Sequence, residues 1–357
     1  MKMPVKFFGA SYDELPKAVI NLSAIRQNAV KIKKCLYSAK FCAVVKSDAY
    51  GHGLARVADA VSDIADYFAV SSLSEAACLR LCGIQKPVLC LLPVSDVFSA
   101  CINDVSICVS CHNDFLKIES AAKEKNVYPK LHFAINTGMN RLGYDNVQIL
   151  KNDAISSLSN GFTVQGVFSH FYNSADETSV KKQYERFLPF FNVIKSLNAN
   201  AVSHISASGG FLYGKYNLDM VRIGLLMYGY KPFNAQFGVK PAMKITANKL
   251  LERDIKKGEN LLYGDYVLPC NEKADIYNYG YSNGLLRIKN GLNNCCMGLS
   301  SAKSQIQADE SISERVIFEN AQEVANANSI GIYQAMIFAG SMLAKKYEGI
   351  FTKNNEI

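Results

Sequence analysis

A lysine that closes an apolar run is the chemically most suggestive feature of this sequence. Lys46 follows Ala43-Val44-Val45 and leads into Ser47-Asp48-Ala49-Tyr50-Gly51-His52-Gly53. An ammonium at the end of a buried strand is partly desolvated, which disfavours its charged form and favours a neutral, nucleophilic amine. Other usable groups stand at the ends of similar runs. These are Asn136 to Gly143 with Arg141, then His170, then Ser208-Gly209-Gly210, while Arg222-Ile223-Gly224 opens the last run. Singly they read as a surface cation, a structural histidine, a turn and a strand-flanking cation. Gathered at one mouth they form an acid/base and anion-binding set.

Such gathering needs a scaffold whose strand ends converge. Candidate strands are Phe41 to Lys46, Tyr67 to Ser72, Pro87 to Pro93, Val105 to Cys111, Lys130 to Asn136, Thr163 to His170, Val202 to Ser208 and Val221 to Tyr228. Several are continuously apolar, as strands of a parallel sheet are when both faces are buried. Leu54 to Ile64, Ser74 to Leu81, Asp114 to Lys125 and Glu177 to Leu197 have helical spacing, and Ser72-Leu73-Ser74-Glu75 fits a capping box. The alternation predicts an α/β fold, a (β/α)8 TIM barrel with its chemistry at the C-terminal strand ends. A doubly wound sheet is the runner-up, but no GxGxxG follows the first strand.

After Pro232 the pattern changes. Met243 to Glu252 and Ala274 to Tyr281 alternate in part, with Gly258, Gly264 and Gly280 at bends and one helix expected at Phe318 to Asn328. The chain therefore reads as a barrel over 1–235 and a smaller, mainly β C-terminal domain over 236–357, with the first twenty or so residues packing on the latter.

Composition narrows the function classes. The 357 residues are 49% apolar and 20% charged, which fits a globular protein and excludes a disordered or collagen-like one. The net charge of +8 invites a nucleic-acid reading, but the densest clusters, Lys31-Ile-Lys33-Lys34 and Lys345-Lys346, are short and read as helix ends. No nucleic acid or membrane partner is expected, since no run approaches the length of a span. The eleven cysteines include no CxxC pair, so they are expected mainly as small buried groups rather than a metal or redox site. Without an apolar leader at Met1 to Leu15, a reduced cytoplasmic setting is expected.

Particular segments go further. VVKSDAYGHG at 44–53 resembles the cofactor-lysine motif of alanine racemases, and INTGMNRLG at 135–143, FSHFYNSADE at 168–177 and VRIGLLMYG at 221–229 resemble their other signatures. LLYGDY at 261–266 and GYSNGLLR at 280–287 are similar to the segments around the second catalytic base, so the likeness runs from about Lys17 to Tyr347. It implies a homodimeric enzyme that binds pyridoxal 5'-phosphate (PLP) in the barrel mouth, with the β domain completing the partner's site. On this resemblance Lys46 is the Schiff-base lysine, Tyr50, Ser208, the Gly224 backbone and Tyr333 contact the phosphate, and His170 contacts the ring. Arg222 partners the pyridine nitrogen, Arg141 lies near the substrate carboxylate, Tyr281 is the second base, and the Met297 backbone lies beside it.

Racemisation asks for such a set, because a proton leaves one face of the α-carbon and another returns to the opposite face. Lys46 and Tyr281 would serve the two faces. Tyrosine is a poor base at its ordinary pKa of ~10, so nearby cations must lower it, with His170 and Arg222 as candidates. A permanently charged Arg222 donates a hydrogen bond but no proton, which disfavours side reactions. The sequence also departs from the family. Ala134 stands where many members carry a carbamylated lysine, Asn136 replaces an Asp, Ala207 an Asn, and Cys296-Met297-Gly298-Leu299 lacks two polar residues after a shortened hairpin. The leading expectation is an alanine racemase supplying D-alanine for peptidoglycan. The alternatives are a racemase of other small amino acids and a PLP-binding protein with little turnover.

Overall fold

The structure is a computed structural model that describes residues 6–7, 15–262, 267–285, 289–290, 293–296, 299–303 and 314–349. It begins with β1 (Lys6–Phe7), β2 (Lys17–Asn21) and α1 (Leu22–Lys34). Then come β3 (Lys40–Val44), α2 (Lys46–Tyr50), α3 (Leu54–Val61), β4 (Tyr67–Val70), α4 (Leu73–Leu81), β5 (Val88–Cys90), α5 (Val97–Ile102), β6 (Val105–Val109) and α6 (His112–Lys125). They continue with β7 (Lys130–Ala134), α7 (Val147–Ser159), β8 (Thr163–Phe168), α8 (Glu177–Leu197), β9 (Val202–His204), α9 (Ser208–Phe211) and β10 (Met220–Ile223).

The strands β3 to β10 form one eight-stranded sheet in the order β10-β3-β4-β5-β6-β7-β8-β9, with neighbouring strands parallel. It closes on itself. Ala207 bridges Arg222, and the Asp219 and Arg222 amides donate to the Ser203 and Ser206 carbonyls at 3.1 Å each. Strands β4, β5, β6 and β10 are buried at every position, which explains their predominantly apolar sequence, broken only by Ser106 in β6 and Arg222 in β10.

All eight expected strands occur, but most are shorter than the apolar runs that announced them. The ladder of β3 stops at Val44 and that of β8 at Phe168, so Lys46 and His170 lie just beyond it, where a side chain can turn into the mouth. The last strand differs most. It runs Met220–Ile223, and the chain turns at Gly224, whose carbonyl accepts from the Met227 amide at 2.8 Å. Arg222 therefore stands near the C-terminal end of β10 rather than opening a longer strand.

Local capping fixes the helices. Asp176 accepts from the Thr178 and Ser179 amides to start α8, and Asn146 accepts from those of Gln148 and Ile149 to start α7. Ser72 accepts from the Glu75 amide as expected of α4. The capping box is not completed, because the Glu75 carboxylate takes the Ser71 amide and hydroxyl, both at 2.9 Å, and the Asp48 amide at 3.2 Å. Among the nine cysteines whose burial is described, Cys42, Cys90 and Cys108 are buried, while Cys35, Cys82, Cys111 and Cys270 are exposed, so packing accounts for fewer of them than expected.

The chain divides into two compact units. One is the barrel, Ser23–Ala49 with Leu54–Lys240. The other comprises β1, β2, Tyr50–Gly53 and the described residues from Pro241 onward. Its later elements are β11 (Met243–Ile255), β12 (Glu272–Tyr277), β13 (Lys289–Asn290), β14 (Asn293–Cys296), β15 (Leu299–Lys303), β16 (Glu314–Phe318), α10 (Ala321–Asn328), α11 (Ile332–Met342) and β17 (Ala344–Glu348). The sheet runs β13-β14-β15-β12-β11-β2-β17, with β1 and β16 also paired to β11. Its long central strand β11 meets β2 through Met243 to Thr246 and β12 through Lys249 to Ile255, around a small core of Ile255, Leu261, Leu268, Ala274 and Ile276. The helix expected from Phe318 begins only at Ala321, capped by Asn320, since Phe318 still belongs to β16. Helix α11 was not anticipated.

Candidate active site

Lys46 opens a turn of unusual hand. Ser47, Asp48, Ala49 and Tyr50 have φ of 54°, 52°, 55° and 53°, four consecutive non-glycine residues in the left-handed region. Each costs roughly 1–2 kcal/mol relative to a right-handed turn, so neighbours must hold it. The Ala49 amide donates to the Val45 carbonyl at 2.8 Å, the Leu54 amide to Asp48 Oδ1 at 2.7 Å, and the Asp48 amide to Glu75 at 3.2 Å. Lys46 itself is half-buried. Burial, then the Arg141 and Arg222 charges, hold its amine below the ordinary lysine range, with Glu75 opposing.

Arg222 organises the rest of the barrel mouth. It is 3% exposed, and its guanidinium donates to the carbonyls of Ser169 at 2.7 Å, His204 at 3.2 Å and Ile205 at 3.4 Å. It also donates to His204 Nδ1 at 2.6 Å and to His170 Nδ1 at 3.3 Å, and it lies 5.5 Å from the centre of the Phe168 ring. Burial first, then the charges of Arg222, Arg141 and Lys46, push His170 down to about 3, so it is neutral at physiological pH. Lys46, Arg141, His170 and Arg222 therefore share one electrostatic neighbourhood.

Arg141 is exposed on a loop shaped by Asn136. The Asn136 side-chain oxygen accepts from the Gly138 and Asn140 amides at 3.0 Å each, and its amide donates to Asn140 at 3.0 Å and Asp145 at 2.8 Å. An aspartate there would face the Asp145 carboxylate, so this departure is matched by its neighbour. Ala134 has no such counterpart. It packs with Cys108, Phe168 and Leu91 in an apolar cluster and offers Arg141 no partner.

Ser208 is buried at the start of α9, where its Oγ accepts from the Leu226 amide at 3.3 Å and keeps its own proton to donate. A Cβ on Gly209 would lie 2.0 Å from Ser174 Oγ, so only glycine lets α9 lie against that loop. Ala207 precedes the helix without a side-chain cap. Gly224 follows β10 in a buried turn.

The second unit carries three of the expected residues. Tyr50 is buried, with its ring centre 5.7 Å from that of Tyr333 on α11. Tyr333 is 45% exposed, and Tyr281, which opens a 3-10 turn at Tyr281–Asn283, is 37% exposed. Met297 and Gly298 lie outside the described residues, as do residues 263–266 of the LLYGDY segment. Sequence reading passed over His204, His132, Asp48 and Glu75. Only the two histidines left a signal, each a polar residue inside an apolar strand run.

Together these features define a (β/α)8-barrel enzyme with a half-buried amine among permanent cations. The family model "Alanine racemase, N-terminal domain" matches residues 20–232. Alanine racemase 1 of Clostridium acetobutylicum is 32% identical over 290 residues, covering 77% of this chain and 74% of that protein. Among solved structures, alanine racemase from Clostridium difficile aligns with a TM-score of 0.85 at 24% identity, covering 95% and 97% of the two chains. The alanine racemase of a D-cycloserine-producing Streptomyces lavendulae aligns at 0.86 and 24%, covering 96% and 99%. The chain belongs to the alanine racemase family and is an isomerase.

Proposed function

We propose that this enzyme interconverts L- and D-alanine with PLP held at the barrel mouth, using Lys46 and Tyr281 as the two acid/base groups. The observation that carries the reading is a lysine with a depressed pKa in the electrostatic neighbourhood of a buried arginine that carbonyl and imidazole acceptors hold in place. When bound, PLP supplies the electron sink that makes an α-proton acidic. The donor set suits it. Lys46 has an amine whose charged form is disfavoured, which suits bonding to an aldehyde, Ser208 a hydroxyl proton for a phosphate oxygen, and Arg222 an N–H for a ring nitrogen without a proton to lose. Neutral His170 and the Gly224 backbone complete the barrel's share. The Tyr50 and Tyr333 hydroxyls are assigned to the same phosphate on the family likeness alone.

Once released from the cofactor, Lys46 takes or returns the proton on one face of the α-carbon and Tyr281 serves the other. Arg141 orients the substrate carboxylate. We assign the protein to a homodimer in which the β domain of one copy completes the site of the other. The exposed Tyr281, Tyr333, Phe338 and Met342 support this, being large side chains that a partner would cover. No helix among the described residues is long and apolar enough to cross a membrane, and a cytoplasmic supply of D-alanine for peptidoglycan fits the family.

Incubation of the PLP-loaded protein with L-alanine in deuterated water tests the reading. Solvent deuterium should enter the α-position as D-alanine accumulates. Exchange with serine or another small amino acid but not alanine would move the assignment within the class, and a protein that cannot take up PLP would end it.

A further inference from the structure

One buried group is unused by this chemistry. His132 sits inside β7 with no exposure, and its Nδ1 lies 3.0 Å from His204 Nε2, whose ring joins Arg222 at 2.6 Å. The polarity of this file follows from its charged end. A guanidinium has only donors and keeps its proton at every working pH. His204 Nδ1 must therefore accept. Burial and Arg222 keep both imidazoles neutral, so His204 carries its single proton on Nε2 and donates it to His132 Nδ1. His132 in turn carries its proton on Nε2, which makes no hydrogen bond among the described residues. The Gln165 side chain, which accepts from the Ser106 hydroxyl, acts on the ring as a weak acceptor.

The barrel makes room for this arrangement. Along the β7–β8 ladder Leu131 pairs with Val164 but His132 pairs with Gly166, so Gln165 is an extra residue. A Cβ on Gly166 would lie 2.4 Å from His132 Cε1 and Nδ1 and 2.5 Å from the Val202 carbonyl oxygen. A bulge and a glycine thus admit one imidazole.

We propose that His132 is a positioning residue: by accepting from His204 Nε2–H it fixes the tautomer that presents a lone pair to Arg222, and so holds the guanidinium at the mouth. Arg222 alone favours that tautomer, but without the acceptor the buried His204 Nε2–H is left unpaired, and that desolvation cost drives the imidazole to carry its proton on Nδ1 or to turn its ring, either of which displaces the Arg222 N–H. The catalytic consequence rests on the racemase reading; the tautomer relay does not.

Selective nitrogen-15 labelling of the five histidines in the full chain reads the relay without a ligand. In the parent, His132, His170 and His204 should all be protonated on Nε2. In His132→Leu the His204 signal should move toward the other tautomer, with kcat for alanine falling by about tenfold or more, the loss usual for an orienting partner, and KM changing little. His132→Asn, whose amide oxygen replaces the Nδ1 acceptor, should keep the His204 tautomer and recover most of the rate. Gly166→Ala, which crowds the ring, should reproduce the His204 shift if His132→Leu fails to fold. The proposal is overturned if His204 keeps its tautomer in both crowded and truncated variants, or if Asn and Leu lose the same rate with His204 unchanged. A parent protein that folds but does not racemise alanine would count against the functional reading alone.

Discussion

The barrel and the β unit meet the same chemical task in opposite ways. In the barrel the buried and half-buried candidate groups are held by others. Arg222 is held by carbonyl and imidazole acceptors, Ser208 is tied to Leu226, and the Lys46 turn is pinned by Asp48 and Glu75. In the β unit Tyr281 and Tyr333 are substantially exposed. Its buried charges, Lys249 with Asp275 at 2.6 Å, stabilise the sheet instead. The barrel half is preorganised within its own unit, whereas the tyrosine half is presented to whatever docks on it.

Substitutions that remove one half at a time sharpen this contrast. Lys46→Ala should abolish racemisation, by about three orders of magnitude or more, and borohydride reduction of the PLP-treated protein should no longer label the peptide at 46. Tyr281→Phe should leave that labelling intact and lower kcat about 10²- to 10⁴-fold, the usual share of an acid/base group. Undiminished turnover in Tyr281→Phe would mean that the β unit supplies no base.

The barrel's buried histidines predict a pH signature. His132 and His170 are pushed down to about 3 from an ordinary 6.5, so below 6.5 the unfolded chain binds protons that the folded chain excludes. Stability should therefore be fully present above pH 6.5 and fall as the pH drops toward 3, by up to about 1.4 kcal/mol per pH unit for each histidine. Urea unfolding of the parent and of a His132→Asn variant would show it, with the shallower slope in the variant. A smaller effect is expected at Asn136→Asp, which sets two carboxylates together at Asp145 and should raise KM for alanine a few-fold, about 1 kcal/mol. An unchanged KM would separate that loop from substrate binding.

The fold was legible because its strands are buried on both faces and so are written as continuous apolar runs. Strand ends were overread for the same reason, since apolar burial continues after the ladder stops at Val44 or Ile223. Helix α11 was missed because Ile332–Met342 is too uniformly apolar to show a polar face. Lys46, His170 and Arg222 were found because a charge ending an apolar run is conspicuous. His132 and His204 were not, because what matters about them is their pairing past β8, from β7 to β9, which no spacing within one strand reveals. The same holds for Glu75, whose role at the Lys46 turn depends on contact with Asp48.

The left-handed turn after Lys46 carries a consequence for engineering. Residues 47–50 hold a conformation that glycine adopts freely, yet none of them is glycine. Ser47 is exposed, so Ser47→Gly loses no packing and should raise thermal stability, by a few tenths to about 1 kcal/mol, as the strain is relieved. The same change loosens the segment on which the reactive amine is mounted. If the rate falls as the melting temperature rises, heat resistance and catalysis compete at a single backbone angle, and thermostable variants of this enzyme should be sought elsewhere in the chain.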